Sequence, residues 1–468
     1  MKETSKAGEE LRAVYLVGIG GIGMSAIARY FHAKGVRVGG YDKTPTQLTR
    51  ELEQSGISVH YTDDPDLAPR DVDLVVYTPA IPADHRELNS YREQGYRVVK
   101  RSDVLQIITA SSFNVCIAGT HGKTTITTMV AHLLRDSGYG CNAFLGGIAV
   151  NYGTNFWSDP RNVCVIEADE YDRSFLKLSP DVAIITSMDP DHLDIYGTAE
   201  AVEQAFVDFS QRLKPGGLLV ARKGLKRAAD LNADRRLWYS RDDQQADVFA
   251  ADLRIDQGSY LFDVQMPGGR IGPFRLNMGG LHNVENAVAA IAVAASLEIP
   301  VDKIRQAVAS FRGVRRRFEY VWRTENCVFI DDYAHHPEEL RALITGAQNL
   351  YAGWKCTVLF QPHLYTRTRD QADGFAEVLD TVDEVVLLPI YPARELPIAG
   401  VSSEMILAKM HRANRSVVEK AKLAEWIGTQ TMPALRRGEK QVLITCGAGD
   451  IDTLVAPIRE ILEKGVGG

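Results

Sequence analysis

The stretch NVCIAGTHGKTTITTMVAHLLRDSG, Asn114 to Gly138, decides the fold. Its opening is a short apolar run, which reads as a buried strand. Its end repeats apolar residues at helical spacing and stops on glycine, which reads as a helix. Between them lie Gly119, Thr120, His121 and Gly122, followed at once by Lys123, Thr124 and Thr125. A loop that turns from a strand into a helix aims backbone N–H groups at one spot and favours an anion there. The glycines free the backbone to wrap phosphate oxygens. Lys123 supplies a point charge for terminal phosphates, and Thr124 a hydroxyl for magnesium. The usual triphosphate loop has four residues between its glycines. This one has two, Thr120 and His121.

A second glycine-rich run, VGIGGIG, lies earlier, from Val17 to Gly23. Gly18, Gly20, Gly21 and Gly23 follow the strand-like AVYLVG and open the helix-like IGMSAIARYFHAKG. Asp42 ends the next strand, RVGGYD. Together these make the dinucleotide fingerprint, with helix N–H groups for a pyrophosphate and an acid for ribose hydroxyls. Taken alone it favours NAD. What it specifies is a diphosphate and a ribose, and UDP carries both. The two cradles predict two phosphorylated ligands.

The same alternation runs through the whole chain. TQLTRELEQSG follows as a helix and VDLVVYT as a strand, which is repeated βαβ and predicts parallel sheets covered by helices. The pattern restarts at NVCIAG and again near Trp322, at NCVFIDD. Between Val248 and Met278, ADVFAADLRI and YLFDVQM read instead as antiparallel strands with a glycine turn at PGGR. The expected fold is α/β in three domains. The first, 1–107, is Rossmann-like. The second, 108–321, is a P-loop-like parallel sheet with a small antiparallel addition. The third, 322–468, is Rossmann-like again. A length of 468 residues suits that count at roughly 150 per domain.

A triphosphate needs a metal, and acids at strand ends can hold one. Glu167 and Asp169 close the strand VCVIEAD, and His192 follows the next strand in SMDPDHLD. Magnesium prefers oxygen, so an imidazole there is an unusual ligand.

Composition narrows the function. A net charge of −7 argues against nucleic acid as a partner, since phosphate neutralisation needs a basic surface. As a bare run, Arg315-Arg316-Arg317 reads as a solvated face. None of the six cysteines forms a CxxC pair, so buried free thiols in a reducing compartment are expected. The run AVYLVGIGGIGM is too short and glycine-rich for a membrane span or signal sequence. The expected protein is soluble and cytoplasmic.

GTHGKTT, EADE, DPDHLD, GLHNVENA, FRGVRRRFE, DDYAHHPEEL and FQPHLYTRT occur in this order. Together they resemble the Mur ligase family, over nearly the whole chain, and VGIGGIGMS sharpens the likeness to members that use UDP-N-acetylmuramate. The resemblance implies that the first loop holds the UDP of that substrate and the second holds ATP. It implies ligation of L-alanine to the lactyl carboxylate of the muramate through an acyl phosphate. Residues Gly119 to Thr125 would wrap the ATP phosphates. Thr124, Glu167 and His192 would carry Mg2+. His282, Asn283 and Asn286 would face adenine and ribose, and Arg317 would reach the γ-phosphate. Asp332, His335, His336, His363 and Arg367 would approach ATP or alanine, with His363 and Arg367 at the alanine end. Two departures stand out. Many relatives read HRYT where this chain has His363-Leu364-Tyr365-Thr366, so a basic residue is missing. Sister ligases carry a carbamylated lysine where this chain has Phe206.

Other readings leave something over. A nicotinamide dehydrogenase would use the first loop and leave the second unexplained. A ligase that recycles a preformed muropeptide, or a folate-type polyglutamate ligase, would share the ATP loop. A UDP-sugar sensor would bind without turning over ATP.

Overall fold

The computed structural model describes residues 11–466 apart from Asp172 and His192. It is mixed α/β with mostly parallel sheets, as the alternation predicts. The chain packs as two compact units. One comprises the residues up to Ala250 with Val264–Ile271 and Asn286–Val308; the other comprises Ala251–Asp263, Gly272–Glu285 and the chain from Ala309 onward.

In the first unit, five parallel strands run in the order Ser58–His60, Arg37–Tyr41, Ala13–Val17, Leu74–Tyr77, Val98–Lys100. The first strand in sequence is central, so the winding reverses beside its carboxyl end. That is where ligands bind open sheets, and where the first glycine loop begins. Val14 and Leu16 pack with Ile27 on one face, and Tyr15 and Val17 pack with Leu88 and Tyr91 on the other. Burial on both faces explains the unbroken apolar run.

A further sheet in this unit is organised around Phe113–Ala118. That strand lies between Val182–Ile185 and Val163–Glu167 and is parallel to both. Leu218–Arg222 and Arg235–Ser240 extend one side. Asn142–Ala149 extends the other and folds back, antiparallel, onto Thr154–Trp157. This hairpin is a feature the sequence reading did not list. The pairings Ala118 with Ile185 and Ile117 with Glu167 bring the phosphate loop, Glu167 and Thr186 to one edge.

Val248–Asp256, Ser259–Met266 and Gly269–Leu276 are neighbours in that order. Only two residues join each pair, a connection possible only between antiparallel strands. In the first turn Gln257 and Gly258 both take positive φ, the geometry that matches strand twist. The antiparallel addition therefore has three strands. The third, GRIGPFRL, escaped notice because its glycines and proline break the strand pattern.

In the second unit, Cys327–Asp332, Gln441–Cys446, Lys355–Phe360, Glu384–Leu387 and Arg415–Val417 are parallel in that order. Glu319–Arg323, which contains Trp322, pairs antiparallel at the edge. The last strand in sequence is inserted second, which sets Asp332, Cys446 and Phe360 level. Phe329, Leu359, Val386 and Leu443 form the core under the helices. All six cysteines are buried and unpaired. Among the described residues no helix is long and apolar enough to cross a membrane.

Candidate functional site

The first loop turns at Gly18, with φ +85°, and its Gly18 and Ile19 amides donate to the Tyr41 carbonyl at 2.8 and 3.0 Å. Gly21 caps the helix Ile22–Ala33 with no side-chain hydrogen bond, which leaves the first helical amides open to an anion. Asp42 stands where the fingerprint requires, and it accepts the Gly20 N–H at 2.7 Å. A methyl at Gly20 would lie 2.6 Å from Thr49 and 2.7 Å from Asp42. The acid thus braces the loop itself. Gly23 differs: a side chain there would have to displace the guanidinium end of Arg101. Arg101 also lies 3.6 Å from Asp169. The sequence reading passed over Arg101, which is one arginine in KRSDVL with no motif to mark it.

The second loop rises from Ala118 and passes Gly119 at φ +130° and Gly122 at φ +81°. Gly122 caps the helix Lys123–Asp136 in the left-handed region, where glycine carries no steric penalty. Neighbouring strand ends pin the loop. The Thr120 hydroxyl donates to the Asp189 carbonyl at 2.7 Å, and the His121 N–H to Ser187 at 2.9 Å. The His121 ring is exposed, 3.8 Å from Asp189. Thr125 is buried in the first helical turn. Asn286 borders the loop, with its Oδ1 3.0 Å from where a Gly122 Cβ would sit.

Lys123 folds back over this loop. Its ammonium donates to the Gly119 carbonyl at 2.7 Å and to Glu170 at 2.8 Å. Glu170 is 2% exposed, and burial pushes its carboxyl pKa up against the opposing pull of Lys123. The sequence reading took Glu167 and Asp169 from EADE and missed Glu170, whose neighbour in space lies in another motif. Thr124 donates to Glu167 Oε1 at 3.0 Å, and Glu167 Oε2 accepts the Gly146 N–H at 3.0 Å. Thr124 and Glu167 are two hard oxygen donors side by side at a phosphate loop. That fits magnesium, which fills its other positions with water and phosphate. No group of three or more His, Cys, Asp or Glu is placed to hold a metal among the described residues. His192 lies outside them. Phe206 is fully buried, edge-on to Phe175 at 5.5 Å.

In the second unit the basic run divides. Arg316 is structural: it binds Asp331 at 3.3 Å, the Gly447 carbonyl, and the Tyr333 ring at 5.2 Å. Arg317 is exposed, and among the described residues no carboxylate lies within ion-pairing distance of it. Neighbouring protein and then the charge of Arg317 hold the His282 pKa down. Asn283 is buried, and its amide donates to the Gly279 carbonyl at 2.6 Å, so it braces the helix start.

Asp332 accepts the Phe318 N–H at 2.6 Å and the Ala334 N–H at 2.7 Å. Burial raises its pKa to about 6 despite those bonds. It ties the arginine run to the loop that carries the histidines. The His335 and His336 rings lie tilted to each other with centroids 4.7 Å apart, and His335 meets His363 edge-on at 6.2 Å. His363 stacks on Tyr391 and lies 3.2 Å from Arg367. Burial, and then the charge of Arg367, hold the His363 pKa below its ordinary value, against the opposing pull of Glu395. The structure therefore gathers His335, His336, His363 and Arg367 at one end of one sheet, although the sequence splits them between two motifs.

Comparison with known proteins gives the class. Residues 13–113 match the model described as Mur ligase family, catalytic domain. Residues 117–294 match the Mur ligase middle domain, and 316–449 the Mur ligase, glutamate ligase domain. The chain belongs to the Mur ligase family. A UDP-N-acetylmuramate–L-alanine ligase of Porphyromonas gingivalis is 49% identical over 97% of this chain and 99% of its own length. One from Parabacteroides distasonis is 48% identical over 97% and 98%. The crystal structure of a UDP-N-acetylmuramate-alanine ligase from Thermotoga maritima superposes with a TM-score of 0.79 at 29% identity, covering 97% of this chain and all of that one. A murein peptide ligase from Psychrobacter arcticus shares the fold, with a TM-score of 0.63 at 21% identity over 97% and 99%.

Proposed function

We propose that this chain joins L-alanine to the lactyl carboxylate of UDP-N-acetylmuramate, with cleavage of ATP to ADP and phosphate, in peptidoglycan precursor synthesis. The observation that carries the reading is the pair of glycine loops. Each lies at a strand-to-helix turn of one compact unit, in a chain 49% identical along nearly its whole length to proteins named for that activity. Such a reaction belongs in the cytoplasm, where both nucleotides are found. We retain the division 1–107, 108–321 and 322–468 as sugar-nucleotide, ATP and amino-acid parts.

The substrate carboxylate attacks the γ-phosphorus, ADP leaves, and an acyl phosphate forms. The alanine amine attacks its carbonyl, the tetrahedral intermediate expels phosphate, and the amine proton is lost. Such chemistry calls for positioning and charge stabilisation rather than a protein nucleophile. Gly18, Gly20, Gly21 and Gly23 would seat the UDP diphosphate, with Asp42 bracing the loop near the ribose. Gly119 to Thr125 would wrap the ATP phosphates, with Lys123 and Arg317 on the terminal ones. His282, Asn283 and Asn286 would border the nucleoside. Thr124, Glu167 and His192 would hold Mg2+, which neutralises phosphate charge when bound. Asp332 would order the loop that carries His335 and His336, those two would approach ATP or alanine, and His363 and Arg367 would receive alanine.

An ADP-release assay with L-alanine, a muropeptide and glutamate as alternative amines tests the reading. Turnover should require L-alanine and UDP-N-acetylmuramate together. Turnover with the muropeptide alone would assign the recycling reaction instead. Glu167→Ala removes an anionic oxygen from beside Thr124 and should raise the magnesium concentration for half-maximal rate by about tenfold. An unchanged magnesium curve removes Glu167 from the site. Phe206 has no amine, so no carbamate can form at that position, and its ring is buried against Phe175. The rate should therefore be indifferent to added bicarbonate; stimulation that maps to a lysine elsewhere would overturn this.

A further inference from the structure

The ion pair between Lys123 and Glu170 is the part of the site that the proposed chemistry does not use. Glu170 is almost fully buried, and its Oε1 receives the lysine at 2.8 Å. Its Oε2 is buried too and has no hydrogen-bond partner among the described residues. The lysine is also drawn to the Gly119 and Thr120 carbonyls at 2.7 and 3.4 Å, so its ammonium turns inward onto its own loop. Its side chain is 14% exposed. Glu170 itself is anchored from behind. Its carbonyl accepts the Tyr196 hydroxyl at 2.7 Å and the Arg173 N–H at 3.0 Å, so the carboxylate cannot follow the lysine outward by a simple shift of backbone.

We infer that Glu170 is a latch on the nucleotide site, a positioning residue that competes with the terminal phosphates of ATP for Lys123. The inference rests on the reading of Lys123 as the phosphate contact. A carboxylate and a triphosphate demand the same ammonium in different places. Every nucleotide that binds must draw the lysine away from a charge-assisted hydrogen bond, the stronger kind. The latch therefore lowers nucleotide affinity. Only a ligand that brings enough negative charge to the loop can open it, which favours the triphosphate over ligands without terminal phosphates.

The test is calorimetric titration of the full-length protein with a non-hydrolysable ATP analogue and with ADP, in magnesium, beside the steady-state assay. Glu170→Gln keeps the shape and removes the charge. It should bind the analogue about five- to twentyfold more tightly and lower the apparent ATP constant by a similar factor, while kcat stays level or falls. In a Lys123→Ala background the same substitution should shift affinity by less than about twofold, because the latch acts through the lysine. Glu170→Asp, which draws the carboxylate back by one methylene, should shift affinity in the same direction by less. It serves if the glutamine variant fails a thermal-melting check. Unchanged or weakened binding in Glu170→Gln, or an equal shift with and without Lys123, overturns the latch and leaves Glu170 as a structural partner. Failure of the wild-type protein to bind the analogue at all would instead overturn the assignment of the loop to ATP.

Discussion

Lys123→Ala should lose about a thousandfold or more of its ATP-dependent turnover and still bind UDP-N-acetylmuramate close to normally. The two phosphate cradles are separate strand-to-helix turns on separate sheets, one after Val17 and the other after Ala118. Removing the ammonium from one leaves the backbone amides of the other in place. A second effect comes from Glu170. Breaking a buried ion pair by deleting one partner costs about 3–5 kcal/mol when the remaining charge cannot be solvated. Lys123→Ala should therefore also lower the melting temperature. Burial already raises the Glu170 pKa, so the folded state holds that proton more tightly than the unfolded chain does. The variant should regain stability as pH falls through the range where Glu170 protonates. Lys123→Ala combined with Glu170→Gln should recover the melting temperature but not the turnover. Sugar-nucleotide titration, ADP release and thermal melts separate the outcomes. Equal loss of sugar-nucleotide binding and turnover in a well-folded variant would mean that the loops are assigned the wrong way round.

What the sequence discloses here is whatever depends on near neighbours in the chain. Val17 to Gly23 and Ala118 to Thr125 are local turns, and glycine spacing reports a local turn directly. The buried strands are legible because a strand covered on both faces is apolar throughout. The rest depends on contacts that close over long stretches of chain. Glu170 meets Lys123 across 47 residues, and no spacing rule links EADE to GKTT. Arg101 lies over Gly23 for the same kind of reason, and only the space around the glycine reveals it. Asp42 was legible as an acid at a strand end. Its bond to the Gly20 amide was not, because a fingerprint records the residue type and leaves its partner open. Arg315, Arg316 and Arg317 look equivalent in sequence. The fold distinguishes them, turning Arg316 inward to Asp331 and leaving Arg317 exposed. The hairpin Asn142–Trp157 and the strand Gly269–Leu276 contain glycines that weaken the strand pattern, and pairing with neighbours restores what local preference lacks.

Arg367→Lys should raise the apparent alanine constant by about tenfold to a hundredfold and move the ATP constant far less. Alanine brings a carboxylate, and a guanidinium meets a carboxylate through two parallel donors that an ammonium cannot reproduce. Losing a charge-assisted pair costs roughly 1.5–3 kcal/mol, which sets that range. The surroundings of Arg367 make it the candidate. It is half-buried, it lies 3.2 Å from a His363 whose pKa is held down, and no carboxylate among the described residues lies within ion-pairing distance of it. Glu339 and then Glu395 are the acids whose charge reaches Arg367, and Glu395 is already engaged, accepting the Thr366 N–H at 3.0 Å and the Thr366 hydroxyl. Leu364, where many relatives carry a basic residue, sits at φ +69° at the start of the helix Tyr365–Leu379. A leucine in the left-handed region carries strain of about 1–3 kcal/mol, which the fold tolerates where it fixes the direction of a site. Here the turn aims the first helical residues, and Arg367 is the one cation among His363 to Arg367 with a full-time charge. The measurement is steady-state kinetics with alanine varied at saturating ATP and sugar nucleotide, then ATP varied at saturating alanine. If the alanine constant stays within about twofold, or the ATP constant moves more, Arg367 does not hold the carboxylate, and the leucine at position 364 has not shifted that load onto it.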